Sequence, residues 1–154
     1  MKKALVLLFT MALSITLCGC SSEDKVTTST CSISESSMKM SMKFSATNDE
    51  IDKVVMTVTP NNSTMGISSF KDLDDDMKSQ IKKLFLTSLG LEKDSYDGVK
   101  IDVTFDEEMD VKLDLDLKVA DKDILDKLGL DLDDADMSLE KSVKELEESG
   151  YTCK

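Results

Sequence analysis

Four cysteines, ten methionines and no histidine set the chemistry open to this 154-residue chain. Cys18 and Cys20 close an apolar N-terminal run, whereas Cys31 and Cys153 stand near the two ends of the remaining chain. A cysteine directly after a glycine at the end of such a run is a candidate for thioether linkage to lipid. A widely separated pair is a candidate for a disulfide. Met38, Met40 and Met42 offer thioethers, soft ligands that suit Cu(I). Two aspartate clusters, Asp72–Asp76 and Asp131–Asp136, invite a calcium reading. The missing histidine excludes Ser-His-Asp and Cys-His catalysis and removes the commonest metal ligand. Catalysis by carboxylates alone stays open without positive support.

The first nineteen residues read as an export signal. Lys2 and Lys3 give a short positive start, Ala4 to Leu17 an apolar run, and Leu17-Cys18-Gly19-Cys20 the ending. The run is too short for a spanning helix. Its ending resembles a bacterial lipobox, with Leu17 three places before Cys20 and Gly19 just before it. Cys18 takes a position that usually holds another small residue. The expected product is a chain beginning at a diacylglyceryl Cys20, with palmitate-type acyl chains holding it at the bilayer, since two chains anchor stably where one does not. The competing readings are release of a soluble secreted domain and acylation at Cys18, which bulky Leu17 disfavours.

With Cys18 removed and Cys20 lipidated, Cys31 and Cys153 remain. An even remainder outside the cytosol reads as a disulfide, closing a loop of roughly 120 residues. Two free thiols or an intermolecular bridge are the alternatives. No C-x-x-C spacing exists in the domain, which argues against a redox role.

The elements that must position these groups follow from periodicity. Residues 21–30 (SSEDKVTTST) are small and polar and read as a tether, although Val26 to Thr30 is β-branched enough to begin a strand. Met38, Met40, Met42 and Phe44 alternate with Lys39, Ser41, Lys43 and Ser45, the period of a half-buried strand. A turn at Asn48-Asp49-Glu50 and a β-branched run over Ile51–Thr59 complete a hairpin. Ser69 to Leu89 changes to helical period, with Leu73, Met77, Ile81, Leu84 and Phe85 on one stripe and Ser69 as cap. Gly90 is its natural stop. Val99–Phe105 and Val111–Val119 alternate again around Asp106-Glu107-Glu108, with a charged outer face. Asp121–Leu128 reads as a short helix stopped by Gly129, and Ser138 caps a last helix carrying Leu139, Val143 and Leu146 up to Gly150. The expected fold is α+β: a twisted antiparallel sheet built from two hairpins, with helices packed on one face. Residues 1–19 are the signal, 20–30 the lipidated cysteine and flexible tether, and 31–154 a single domain.

Set on this frame, the methionines point toward the helices, where methionine is a flexible core filler. Neither aspartate cluster has the glycine at loop position 6 or the glutamate at position 12 of a calcium loop. Both read better as helix leaders and solvated loops. Net charge is −12, and loss of Lys2 and Lys3 takes it to −14. That argues against nucleic acid and against flat docking on anionic headgroups.

The assembled pattern resembles the YehR-like family of bacterial lipoproteins. The matching residues are the lipobox at Cys20, Cys31 after the tether, Tyr96-Asp97-Gly98-Val99, Ser138-Leu139-Glu140, and Leu146 followed by Gly150-Tyr151-Thr152-Cys153-Lys154. The resemblance implies an α+β lipoprotein domain, supports pairing of Cys31 with Cys153, and offers no catalytic residues to carry over. The expectation is a non-enzymatic binding or envelope-associated module without cofactor, lipid-anchored to the cell membrane on its extracytoplasmic side. The alternative is a soft-metal or small-ligand binder using Met38, Met40 and Met42. A third reading, a carboxylate hydrolase, requires two converging buried carboxylates.

Overall fold

The computed structural model describes residues 24–128, 130 and 137–154. In chain order the elements are β1 (Val26–Ser34), β2 (Met38–Thr47), β3 (Glu50–Pro60), α1 (Asn62–Met65), α2 (Asp75–Ser88), β4 (Ser95–Tyr96), β5 (Val99–Phe105), β6 (Met109–Asp116), α3 (Lys122–Lys127), α4 (Leu139–Glu148) and β7 (Thr152–Cys153). The strands form one open antiparallel sheet in the order β4-β5-β6-β3-β2-β1-β7. β3 against β6 joins the two hairpins into that sheet.

Register keeps the apolar residues on one face. Cys31, Met42, Met56, Leu113 and Ile101 lie in one row across five strands. Successive side chains on a strand point to opposite faces, so a single in-register row fixes the whole face. The helices cover this face. Leu86 of α2 and Ile124 and Leu125 of α3 pack with Val99, Ile101, Leu113 and Leu115, while Leu139 of α4 packs with Cys31, Phe44, Ala46 and Ile51. The opposite face is polar: Thr152, Ser32, Ser41, Thr57, Lys112 and Asp102 form the adjoining row.

The β2–β3 turn is tight. Asn48 and Asp49 both take positive φ, 53° and 71°, as a two-residue type I′ connection requires. Gly90 closes α2 at φ 71°, as its sequence position suggests. Ser138 caps α4, its hydroxyl accepting from the Lys141 amide at 3.2 Å.

Four expectations are corrected. The second helix starts at Asp75 with Asp74 as cap, not at Ser69. Phe70 is fully buried in the core and holds the preceding segment as a turn, while the Ser69 hydroxyl goes to Glu107. Leu84 is 70% exposed, because the buried stripe of α2 runs through Ile81, Phe85, Leu89 and Leu86. The last strand of the second hairpin ends at Asp116, whose carbonyl accepts from Val119 and Ala120 and turns the chain, leaving Val119 exposed. At the other end, Val26–Thr30 belongs to β1, so half of the sequence tether is sheet.

Candidate functional site

Cys31 and Cys153 are bridged across β1 and β7. Thr30 and Lys154 next to them exchange both backbone hydrogen bonds, at 2.9 and 3.0 Å. The cysteines therefore occupy the adjacent non-hydrogen-bonded pair, where opposing Cα atoms come closest, here 4.0 Å. Cys20 and the Asp131–Asp136 cluster lie outside the described residues. The described chain begins against the β2–β3 turn: Lys25 accepts at its carbonyl from the Asn48 amide, and the Asn48 side chain bonds to both Lys25 N–H and the Asp24 carboxylate.

The three methionines share the helix-covered face but not one environment. Met38 is 37% exposed. The Met40 sulfur accepts the Tyr151 hydroxyl at 3.2 Å. Met42 packs against the cluster under α4. The sequence brings the thioethers to one face, but Tyr151 engages one of them and hydrocarbon surrounds another.

The first aspartate cluster is helix chemistry. Asp74 accepts from the Met77 amide at 2.7 Å, and Asp75 and Asp76 fill the first turn, where negative charge favours the helix dipole. Among the described residues no Asp or Glu is buried, and no group of three or more His, Cys, Asp or Glu side chains is placed to hold a metal. No described helix is long and apolar enough to cross a membrane.

Sequence reasoning missed the role of Asp49. Its carboxylate accepts from the Ser138 hydroxyl at 2.7 Å and the Glu140 amide at 3.0 Å, and its carbonyl accepts from the Leu139 amide at 2.8 Å. The hairpin turn thereby caps α4 from outside. The sequence signal was an acidic residue at a turn, with nothing to indicate its distant partner.

Hollows among the described residues include three of different character. A groove of about 580 Å³ runs beside the end of α2, and two of its charged side chains pair with each other. Lys82 donates to Asp94 at 2.6 Å, holding that carboxyl below the ordinary range, and Lys93 lies 4.8 Å above the Tyr96 ring. A second groove, of about 390 Å³, crosses the polar sheet face along Ser32, Ser41 and Thr57; Lys39 at its end pairs with Glu108 at 2.9 Å. The third hollow, of about 120 Å³, lies under α2 and is lined by apolar residues throughout.

No family model matches the chain, and no curated protein sequence does. Two solved structures share its fold. The NMR structure of the Escherichia coli YehR protein superposes with a TM-score of 0.62 at 12% identity, covering 85% of this chain and 92% of that one. The NMR structure of a protein from Streptococcus pneumoniae TIGR4 superposes with a TM-score of 0.53, also at 12% identity, covering 86% and 87%. The chain has a YehR-like fold.

Proposed function

We propose that this chain is a bacterial lipoprotein whose signal, residues 1–19, is removed and whose Cys20 carries the lipid. A single α+β domain is then held at the membrane on its extracytoplasmic side, where it binds a partner or supports an envelope assembly without catalysis. The observation that carries the reading is the division of the cysteines. The bridge joins Cys31 to Cys153, a pairing suited to an oxidising compartment, which leaves Cys18 and Cys20 in the lipobox-like ending, and of these Cys20 is the one that follows a small residue, Gly19.

The domain supports the reading with a short leash. Asp24 and Lys25 are pinned to Asn48, so an anchor at Cys20 lies at most about 14 Å of extended chain from the folded body. On this reading the β2–β3 turn and the start of α4 face the bilayer. A net charge of −14, that of the chain without Lys2 and Lys3, keeps the body from lying flat on anionic lipid.

The test is metabolic labelling of the full chain with a traceable fatty acid, followed by fractionation. Label and membrane association are expected in the native chain and in Cys18→Ser, and both are lost in Cys20→Ser. A chain that keeps Met1 and stays in the cytosol overturns the reading.

A further inference from the structure

We propose that the hollow between α2 and the middle of the sheet is a binding site for a small neutral apolar molecule of about benzene's size. Its floor is Ile101, Val111 and Leu113, which are 2%, 6% and 6% exposed. Phe85 and Leu89 of α2 form one wall, and Met56 belongs to the wall on β3. These elements pack as one core, so the shape is set by the sheet register and by the placement of α2.

The ligand class follows from the lining. Among the described residues every lining side chain is apolar. The backbone beneath is engaged: Leu113 pairs with Met56 and Val111 with Val58 in the β3–β6 ladder, and the Ile101 amide donates to the Asp94 carbonyl at 2.7 Å. A buried water needs two to four polar partners, and the described side chains of this lining offer none. A charged or hydroxyl-bearing ligand meets the same penalty, because a polar group moved there loses its hydrogen bonds to water without replacement. A hydrocarbon loses nothing and restores the dispersion contacts that an empty space forfeits.

The size follows from the volume. About 120 Å³ is close to the roughly 150 Å³ of a dry cavity lined by Leu, Ile and Phe that takes up benzene or xenon. Native interiors have few voids larger than a water molecule, which separates this space from ordinary packing noise. Entry is available at the rim, where Val58, Leu89, Leu128 and Leu130 are half-buried rather than sealed. The flexible thioether of Met56 lets one wall adapt to the occupant. The site does not depend on lipid at Cys20.

The experiment titrates benzene into the full chain carrying labelled Ile, Leu, Val and Met methyl groups. Saturable shifts are expected at Ile101, Val111, Leu113 and Met56, with a melting temperature that rises with benzene concentration. Val58→Phe, which sends a ring into the space from the rim, is expected to abolish those shifts while the remaining spectrum stays folded. Leu113→Ala serves as the second variant: it enlarges the space and is expected to raise affinity for the larger indole ring at least several-fold. Shifts that never saturate or spread over the whole surface overturn the proposal. So does a folded Val58→Phe chain that responds like the native one, or water contacts detected at the floor methyl groups.

Discussion

Cys31 and Cys153 face each other where β7 meets β1, one fully buried and the other at the end of a two-residue strand. The bridge spans 122 positions, so loop-closure entropy gives it about 5 kcal/mol at most. Reduction is expected to lower the urea midpoint and to release β7 first, seen as faster amide exchange at Thr30 and Lys154. Replacement is expected to be asymmetric. Cys31→Ser leaves a hydroxyl in an apolar cluster and costs more than Cys153→Ala, by about 1–3 kcal/mol. Equal midpoints for the two variants would contradict the burial argument.

Asp49 joins the hairpin turn to α4, its carboxylate accepting from Ser138 and Glu140 and its carbonyl from Leu139. Asp49→Ala removes both carboxylate contacts and places a less tolerant residue at φ 71°. A loss of about 1–3 kcal/mol is expected, with Asn at the same position losing less, because it tolerates the left-handed region and keeps an acceptor. Urea unfolding measures the loss, and amide exchange at Glu140 locates it at the start of α4.

What the sequence discloses here is what is local. Alternation in Met38–Phe44 and Val99–Phe105 announces strands because the pleat has period two. Asp121 and Ser138 announce helices because a cap acts within three residues. The disulfide is legible in the pair of cysteines left once Cys18 and Cys20 are set aside, given the expectation of an oxidising compartment. Contacts settled at long range stay hidden. Asp49 meets a helix 89 positions away, and burial of Phe70 moves the start of α2 past a plausible cap at Ser69. Leu84 fits an apolar stripe by spacing, yet tertiary packing centres the stripe elsewhere. The apolar hollow is the least legible feature, being the space that side chains from several elements leave unfilled.

Gly98 allows the β4–β5 turn to pass under Ala120. Its φ is 67°, and a Cβ placed there would lie 2.5 Å from the Ala120 Cα and 2.8 Å from the Asp116 carbonyl oxygen. Both obstacles are backbone. Gly98→Ala therefore combines left-handed strain with a clash that no side-chain rotation relieves. A loss of at least about 2 kcal/mol is expected in chemical denaturation. Gly90→Ala shares the positive φ but meets nothing within 4 Å. It isolates the strain, and the difference between the two variants measures the clash.

Asp52 ties three elements together at the edge of the core. Thr47 donates its hydroxyl to the carboxylate at 2.6 Å, Lys118 its ammonium at 3.0 Å, and the Asp52 carbonyl accepts from Leu117. The Thr47 hydrogen bond first, then Lys118, hold the carboxyl below its ordinary 3.8, and Asp52 raises Lys118 above 10.5. A depressed carboxyl stabilises the fold fully above its unfolded value and loses that contribution as pH falls through the folded value. A raised ammonium contributes fully below its unfolded value and loses this as pH rises through the folded one. The pair therefore adds a constant contribution between those limits and erodes at both ends. Asp52→Asn is expected to flatten the fall in urea midpoint below about pH 4 without abolishing it, because Lys82 depresses Asp94 in the same way. Lys118 is 65% exposed, so added salt is expected to weaken its share while leaving the Thr47 share intact. An acid limb unchanged in Asp52→Asn would remove Asp52 from the account.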